Sequence, residues 1–154
     1  MSDNNNMPLD ASEANTIRAA VSDVIEKMPG MEKYYAKKKK YCEINTLSDV
    51  EKGIGLFDLQ GAKYIAKYID GSFMAQYPFS ILLKSRCSSD KQNLIMTDFM
   101  DRLGVFLEEQ VIDLSGSRNI IDITQTISTF ENSRSEDNIV TLQANFLLKY
   151  RKDD

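Results

Sequence analysis

The chain has no histidine, no tryptophan, two cysteines and three prolines in 154 residues. Each shortage removes a class of chemistry. Without histidine there is no Ser-His-Asp or Cys-His nucleophile scheme, and the commonest zinc ligand is missing. Cys42 and Cys87 lie far apart and match no zinc or redox spacing, so they read as free thiols of a reducing compartment. No apolar run approaches the ~18 residues of a membrane span. The Asn-rich, acidic start from Met1 to Asp10 lacks the apolar core of a secretory signal. Gly53 and Gly55 have no Lys-Ser/Thr after them, so phosphate-loop and dinucleotide fingerprints both fail. No nucleophile–base pair can be named, and the expectation is a protein without catalytic residues, cofactor or metal.

What is present fits one soluble domain. A chain of this length buries roughly 70% of its unfolded surface without disulfides. A net charge of −4 argues against nucleic-acid binding as the task of the whole surface. Residues 1–11 are polar and read as a disordered segment, leaving residues 12–154 as a single domain.

Hydrophobic spacing gives the elements. Behind Ser12, taken as an N-cap, Ala14, Ile17, Val21, Val24 and Met28 recur at helical intervals until Pro29-Gly30. A short strand is expected around Ile54 to Leu59. Two further strands, Lys63 to Ile69 and Ser72 to Ser85, meet at Asp70-Gly71, a dipeptide suited to tight hairpins. Pro78 cannot donate to a ladder, which predicts an edge or bulged strand there. Ser89-Asp90-Lys91-Gln92 matches a capping box, and the helix behind it is expected to bury Ile95, Phe99, Leu103, Phe106 and Leu107. Ser115 to Asn119 reads as a loop. Strands Ile120 to Phe130 and Asn138 to Tyr150 close the chain, with Ile121, Ile123 and Ile127 sharing one face of the first. The order predicts an α+β fold, an antiparallel or mixed sheet packed on one face by two helices.

Charge is unevenly placed. Residues 31–42 hold Lys33, Lys37, Lys38, Lys39 and Lys40 against Glu32, with Tyr34, Tyr35 and Tyr41 interleaved. This stretch reads either as a patch for phosphates or an acidic partner, or as a solvated loop with tyrosines tucked beneath. Four consecutive lysines cannot all face one way on a regular element. The helix from Asp90 is acidic outside, and its carboxylate pairs Asp98/Asp101 and Glu108/Glu109 have no companion ligand, so a solvated face is expected.

The runs Tyr68-Ile69-Asp70-Gly71-Ser72, Gln76-Tyr77-Pro78-Phe79 and Lys84-Ser85-Arg86 carry a family resemblance, together with the helix end Phe106-Leu107-Glu108-Glu109-Gln110 and the final strand Val140 to Tyr150. The chain resembles, from about Ile17 onward, tail terminator proteins of long-tailed phages, often labelled minor capsid proteins. Those motifs are structural, and the Lys37 to Lys40 run is a departure from them. The resemblance implies a hexameric ring on the head-proximal end of the tail tube, which stops polymerisation and offers a docking surface to the head-closure or neck connector. The implied partners are further copies of the chain, the tail tube protein and the connector, with passing contact with DNA in the lumen and no membrane. The implied location is the tail-neck region of the virion, and the host cytoplasm during assembly. Residues singled out as contact surfaces are Tyr34, Tyr35, Lys37, Lys38, Lys39 and Lys40, the hairpin tip Asp70-Gly71, and Ser115, Gly116, Ser117, Arg118 and Asn119. Opposite charges on residues 31–41 and on the acidic helix invite pairing across subunits or across the ring-to-tube contact. Another neck or tail-completion part fits the same pattern. A small nucleic-acid-binding protein that uses the lysines, with the tyrosines as stacking groups, is the reading from a different class.

Overall fold

The computed structural model describes residues 7–110 and 112–154. It is an α+β fold, a mixed six-stranded sheet packed against two helices. In chain order the elements are α1 (Ala11–Glu26), β1 (Glu43–Ile44), β2 (Gly53–Asp58), β3 (Lys63–Lys67), β4 (Phe73–Arg86), α2 (Asp90–Glu109), β5 (Arg118–Arg134) and β6 (Ile139–Lys152). The strands lie in the order β1-β2-β4-β6-β5, and β3 also pairs with β4. Among the described residues only β1 runs parallel to its neighbour.

Period-2 alternation on β4 and β6 builds the core. Ala75, Tyr77, Phe79, Ile81 and Leu83 lie beside Tyr150, Leu148, Phe146, Ala144 and Leu142, and all ten are buried. Both helices cover this face. Ile17, Val21, Val24 and Ile25 of α1 and Met96, Phe99, Met100, Leu103 and Leu107 of α2 join the same cluster. At its centre the rings of Tyr77, Phe79 and Phe146 stack with centroids 5.5 and 5.4 Å apart. Phe146→Ala would remove one of these rings, a change that costs about 3–5 kcal/mol in cores of this kind.

Several expectations change. The N-cap of α1 is Asp10, whose carboxylate accepts from the Glu13 N–H at 2.9 Å, and not Ser12. Residues 7–11 are part of the fold: Pro8 bridges Lys63, the Leu9 N–H donates to the Ala62 carbonyl, and Ala11 opens the helix. The remainder of the segment expected to be disordered, residues 1–6, lies outside the described residues. β4, which carries Pro78, is not an edge strand. The Pro78 carbonyl accepts from the Leu59 N–H, so its nitrogen faces the same side, where β2 has ended and β3 has not begun; the missing donor meets that gap. Ile95 of α2 is exposed, and Met96 and Met100 are buried instead. Half of the expected capping box is present: the Ser89 hydroxyl, as N-cap, accepts from the Gln92 N–H. The Gln92 amide oxygen, however, accepts from Ser88.

β5 is longer than expected and forms a sheet edge. Its pairing with β6 shifts register at four points, so the expected common face of Ile121, Ile123 and Ile127 is broken. Ile123 is buried, whereas Ile121 and Ile127 face solvent. α2 crosses this strand closely at Gly104, where an added Cβ would lie 2.6 Å from the Gln125 side-chain oxygen.

Candidate functional site

The fold distributes the singled-out residues between the two ends of β4, a strand of 14 residues that spans roughly 45 Å. At its Phe73 end is the hairpin tip. The Asp70 carboxylate accepts from both the Ser72 N–H, at 2.9 Å, and the Ser72 hydroxyl, at 2.6 Å. These bonds hold the Asp70 carboxyl below the usual carboxylate range. Gly71 takes φ +94°, which the tight turn requires. Ile69 beside it is 91% exposed.

The second singled-out loop reaches the same end. Ser115 to Ser117 form a turn, and Arg118 and Asn119 already belong to β5. The C-terminal residues join loop and tip: the Asp153 N–H donates to the Ser117 carbonyl, the Arg151 guanidinium sits 5.8 Å from the Tyr68 ring centre, and Asp154 lies against Gly71. A surface depression of about 350 Å³ lined by Gln110, Ile112, Arg118, Asn119 and Ile120 adjoins this loop. Arg118, the cation in its wall, is held by Glu13.

At the Arg86 end lies the lysine run. Lys37 pairs with Glu51 at 3.3 Å, and its backbone N–H donates to Asp49. Lys39 pairs with the buried Glu43 at 3.5 Å. Arg86 also reaches Glu51, and Lys84 donates to the Asp49 carbonyl at 2.7 Å. The chain's own acids therefore engage two of the four consecutive lysines. Lys38 and Lys40 are exposed and have no ion-pair partner among the described residues. Tyr34 is not a surface residue. It is buried, with its ring 4.7 Å from Phe99, because an apolar ring gains more against the α2 core than in water. Tyr35 is half-buried, and of the three tyrosines only Tyr41 is exposed. The lysines and tyrosines thus do not form a single stacking surface.

Two polar clusters pin α1 to the sheet, and the sequence reading contained neither. Glu13 receives both arms of Arg118, at 2.5 and 2.8 Å, and the Tyr150 hydroxyl at 2.6 Å. Asp58 receives Arg18 and the Tyr77 hydroxyl. Burial, and then hydrogen bonding to the carboxylate, pushes both tyrosine hydroxyls far above their usual range, so they stay protonated donors. Burial would raise the Asp58 carboxyl, but the bonds from Arg18 and Tyr77 outweigh it and hold it low. One signal was available: a tyrosine on the inward face of a strand needs a partner for its hydroxyl.

Neither cysteine is poised as a nucleophile. Both are buried and unbridged, and desolvation followed by the nearby Glu26 charge pushes the Cys42 thiol up to about 12. Among the described residues no group of three or more Cys, Asp or Glu could hold a metal ion, and no helix is long and apolar enough to cross a membrane. No protein-family model and no curated protein matches the chain.

Proposed function

We propose that this chain is a structural virion protein, a tail-terminator subunit. It would form a hexameric ring on the head-proximal end of a phage tail tube, end tube growth, and present a docking surface to the neck connector. The reading rests first on the resemblance of the hairpin, helix and final strand. The structural observation that supports it best is the two-ended layout. One sheet carries the hairpin tip, the Ser115–Asn119 segment and residues 151–154 at one end, and the cluster of Lys37, Glu51, Lys84 and Arg86 at the other. A subunit that stops polymerisation needs two unlike axial faces, one that copies the tube contact and one that does not. Buried thiols and fully engaged inward tyrosines also favour a structural over a catalytic role.

Electron microscopy of lysates from a phage deleted for this gene tests the proposal. Overlong, unattached tubes beside DNA-filled heads are expected. Tails of normal length that fail to join heads would make the chain a neck or completion part instead, and normal virions would overturn both.

A further inference from the structure

The outer side of α2 and the basic loop leading into β1 have the properties of two halves of one contact. Leu94, Asp98, Asp101, Val105 and Glu108 follow one another at spacings of four and three residues, so they form a single stripe along the helix. All five are exposed, Leu94 at 70% and Val105 at 54%. Asp98 is paired with Arg102 on the same helix, whereas Asp101 and Glu108 have no ion-pair partner among the described residues. The loop offers the complement: exposed Lys38 and Lys40, together with exposed Tyr41 and Ile44. Each surface combines apolar side chains with unpaired charge, and the signs are opposite.

Their places in the fold are as informative as their chemistry. β1, which ends the loop, is one edge of the sheet, whereas the stripe lies on the side of α2 turned away from the sheet, opposite the buried Met96, Phe99 and Leu103. The residues before the loop reach α2, where Tyr34 meets Phe99, but Lys38 to Ile44 lie beyond them toward β1. Two unlike surfaces at different places on one subunit make a head-to-tail contact, which repeats from copy to copy and closes into a ring when the rotation allows. We infer that the Lys38–Ile44 loop of one copy seats on the Leu94–Glu108 stripe of the next. This rests on the ring reading above and names the surfaces that close the ring. A second copy is the occupant favoured, because the acidic stripe repels nucleic acid and the required basic, apolar complement is present in the same chain. Exposed ion pairs of this kind set orientation and encounter rate, while the apolar residues between them exclude water.

Sedimentation velocity of the full chain at low ionic strength, followed by a salt series, tests the contact. The wild type is expected to assemble and to dissociate as salt screens the pairs. K38E/K40E alone and D101K/E108K alone are each expected to stay monomeric, because like charges now meet in every contact. Mixing the two should restore assemblies in which they alternate, hence with even numbers of chains. A single chain carrying all four substitutions should assemble without a partner. All four positions are exposed, so thermal denaturation of each variant should match the wild type and rule out misfolding as the cause. A wild type that is monomeric at low salt, or variants that assemble unimpaired, would overturn the inference, as would a mixture of folded monomers that stays monomeric. Overlong tails in the deletion phage, combined with unimpaired assembly of both variants, would retain the terminator and remove this contact.

Discussion

Arg118 at the start of β5 grips Glu13 in the first turn of α1 through two hydrogen bonds, across 105 residues of sequence. Both side chains are nearly closed to water, Glu13 at 7% exposure and Arg118 at 10%. A buried charge without its partner is costly, whereas the pair as a whole gains little over apolar packing. Arg118→Met should therefore destabilise the fold by about 3–5 kcal/mol, and adding Glu13→Gln should recover part of that loss. Urea denaturation of the two single variants and the double variant closes the cycle.

The second cluster gives a pH dependence. Asp58 binds a proton less readily in the folded state than in the unfolded chain, because Arg18 and Tyr77 favour its charged form. Its contribution is present above the unfolded carboxylate value of about 3.9 and is lost as pH falls through the lower folded value. Asp58→Asn should be less stable than wild type at neutral pH, and the gap should narrow steadily below about pH 4. Stability curves for both proteins across that range would show whether it does.

Two glycines with equally close neighbours should respond differently to alanine. At Gly55 a Cβ would meet the Thr46 carbonyl oxygen at 2.9 Å and the Phe57 ring at 2.8 Å, and a backbone atom cannot move cheaply. Gly55→Ala should cost about 1–3 kcal/mol. At Gly104 the obstacle is the far end of the Gln125 side chain, which can swing away. There the gain in helix propensity, up to about 1 kcal/mol, offsets the adjustment. Gly104→Ala should leave the melting temperature close to wild type, while Gly55→Ala lowers it.

Ile69 separates folding from contact. At 91% exposure it adds almost nothing to the core, so Ile69→Asp should change stability by less than about 0.5 kcal/mol. If the hairpin end of the sheet is one of the two axial faces of the ring, the same substitution should reduce the yield of complete virions. Complementation of the deletion phage, scored by infectious titre beside thermal denaturation of the purified chain, reads both effects.

The sequence alone determined the elements whose cause is local. Alternation along β4 and β6, the Ser89 N-cap and the Asp70-Gly71 turn were legible because pleat, cap and positive φ act over a few residues. The α+β architecture followed from their order. Tertiary structure decided what depends on distant partners. Ser12 lost the cap to Asp10, whose carboxylate also receives Tyr64, 54 residues away. Pro78 sits in a central strand because β2 and β3 leave a gap that no local pattern announces. Tyr34 is buried because α2 arrives to cover it. Lys37 finds Glu51, fourteen residues on, only because folding brings that loop alongside, whereas Lys39 pairs with Glu43 four residues away; Lys38 and Lys40 have no ion-pair partner among the described residues. Local sterics and hydrogen bonding write themselves into neighbouring residues; burial and charge pairing are set by whatever the folded chain places across from them.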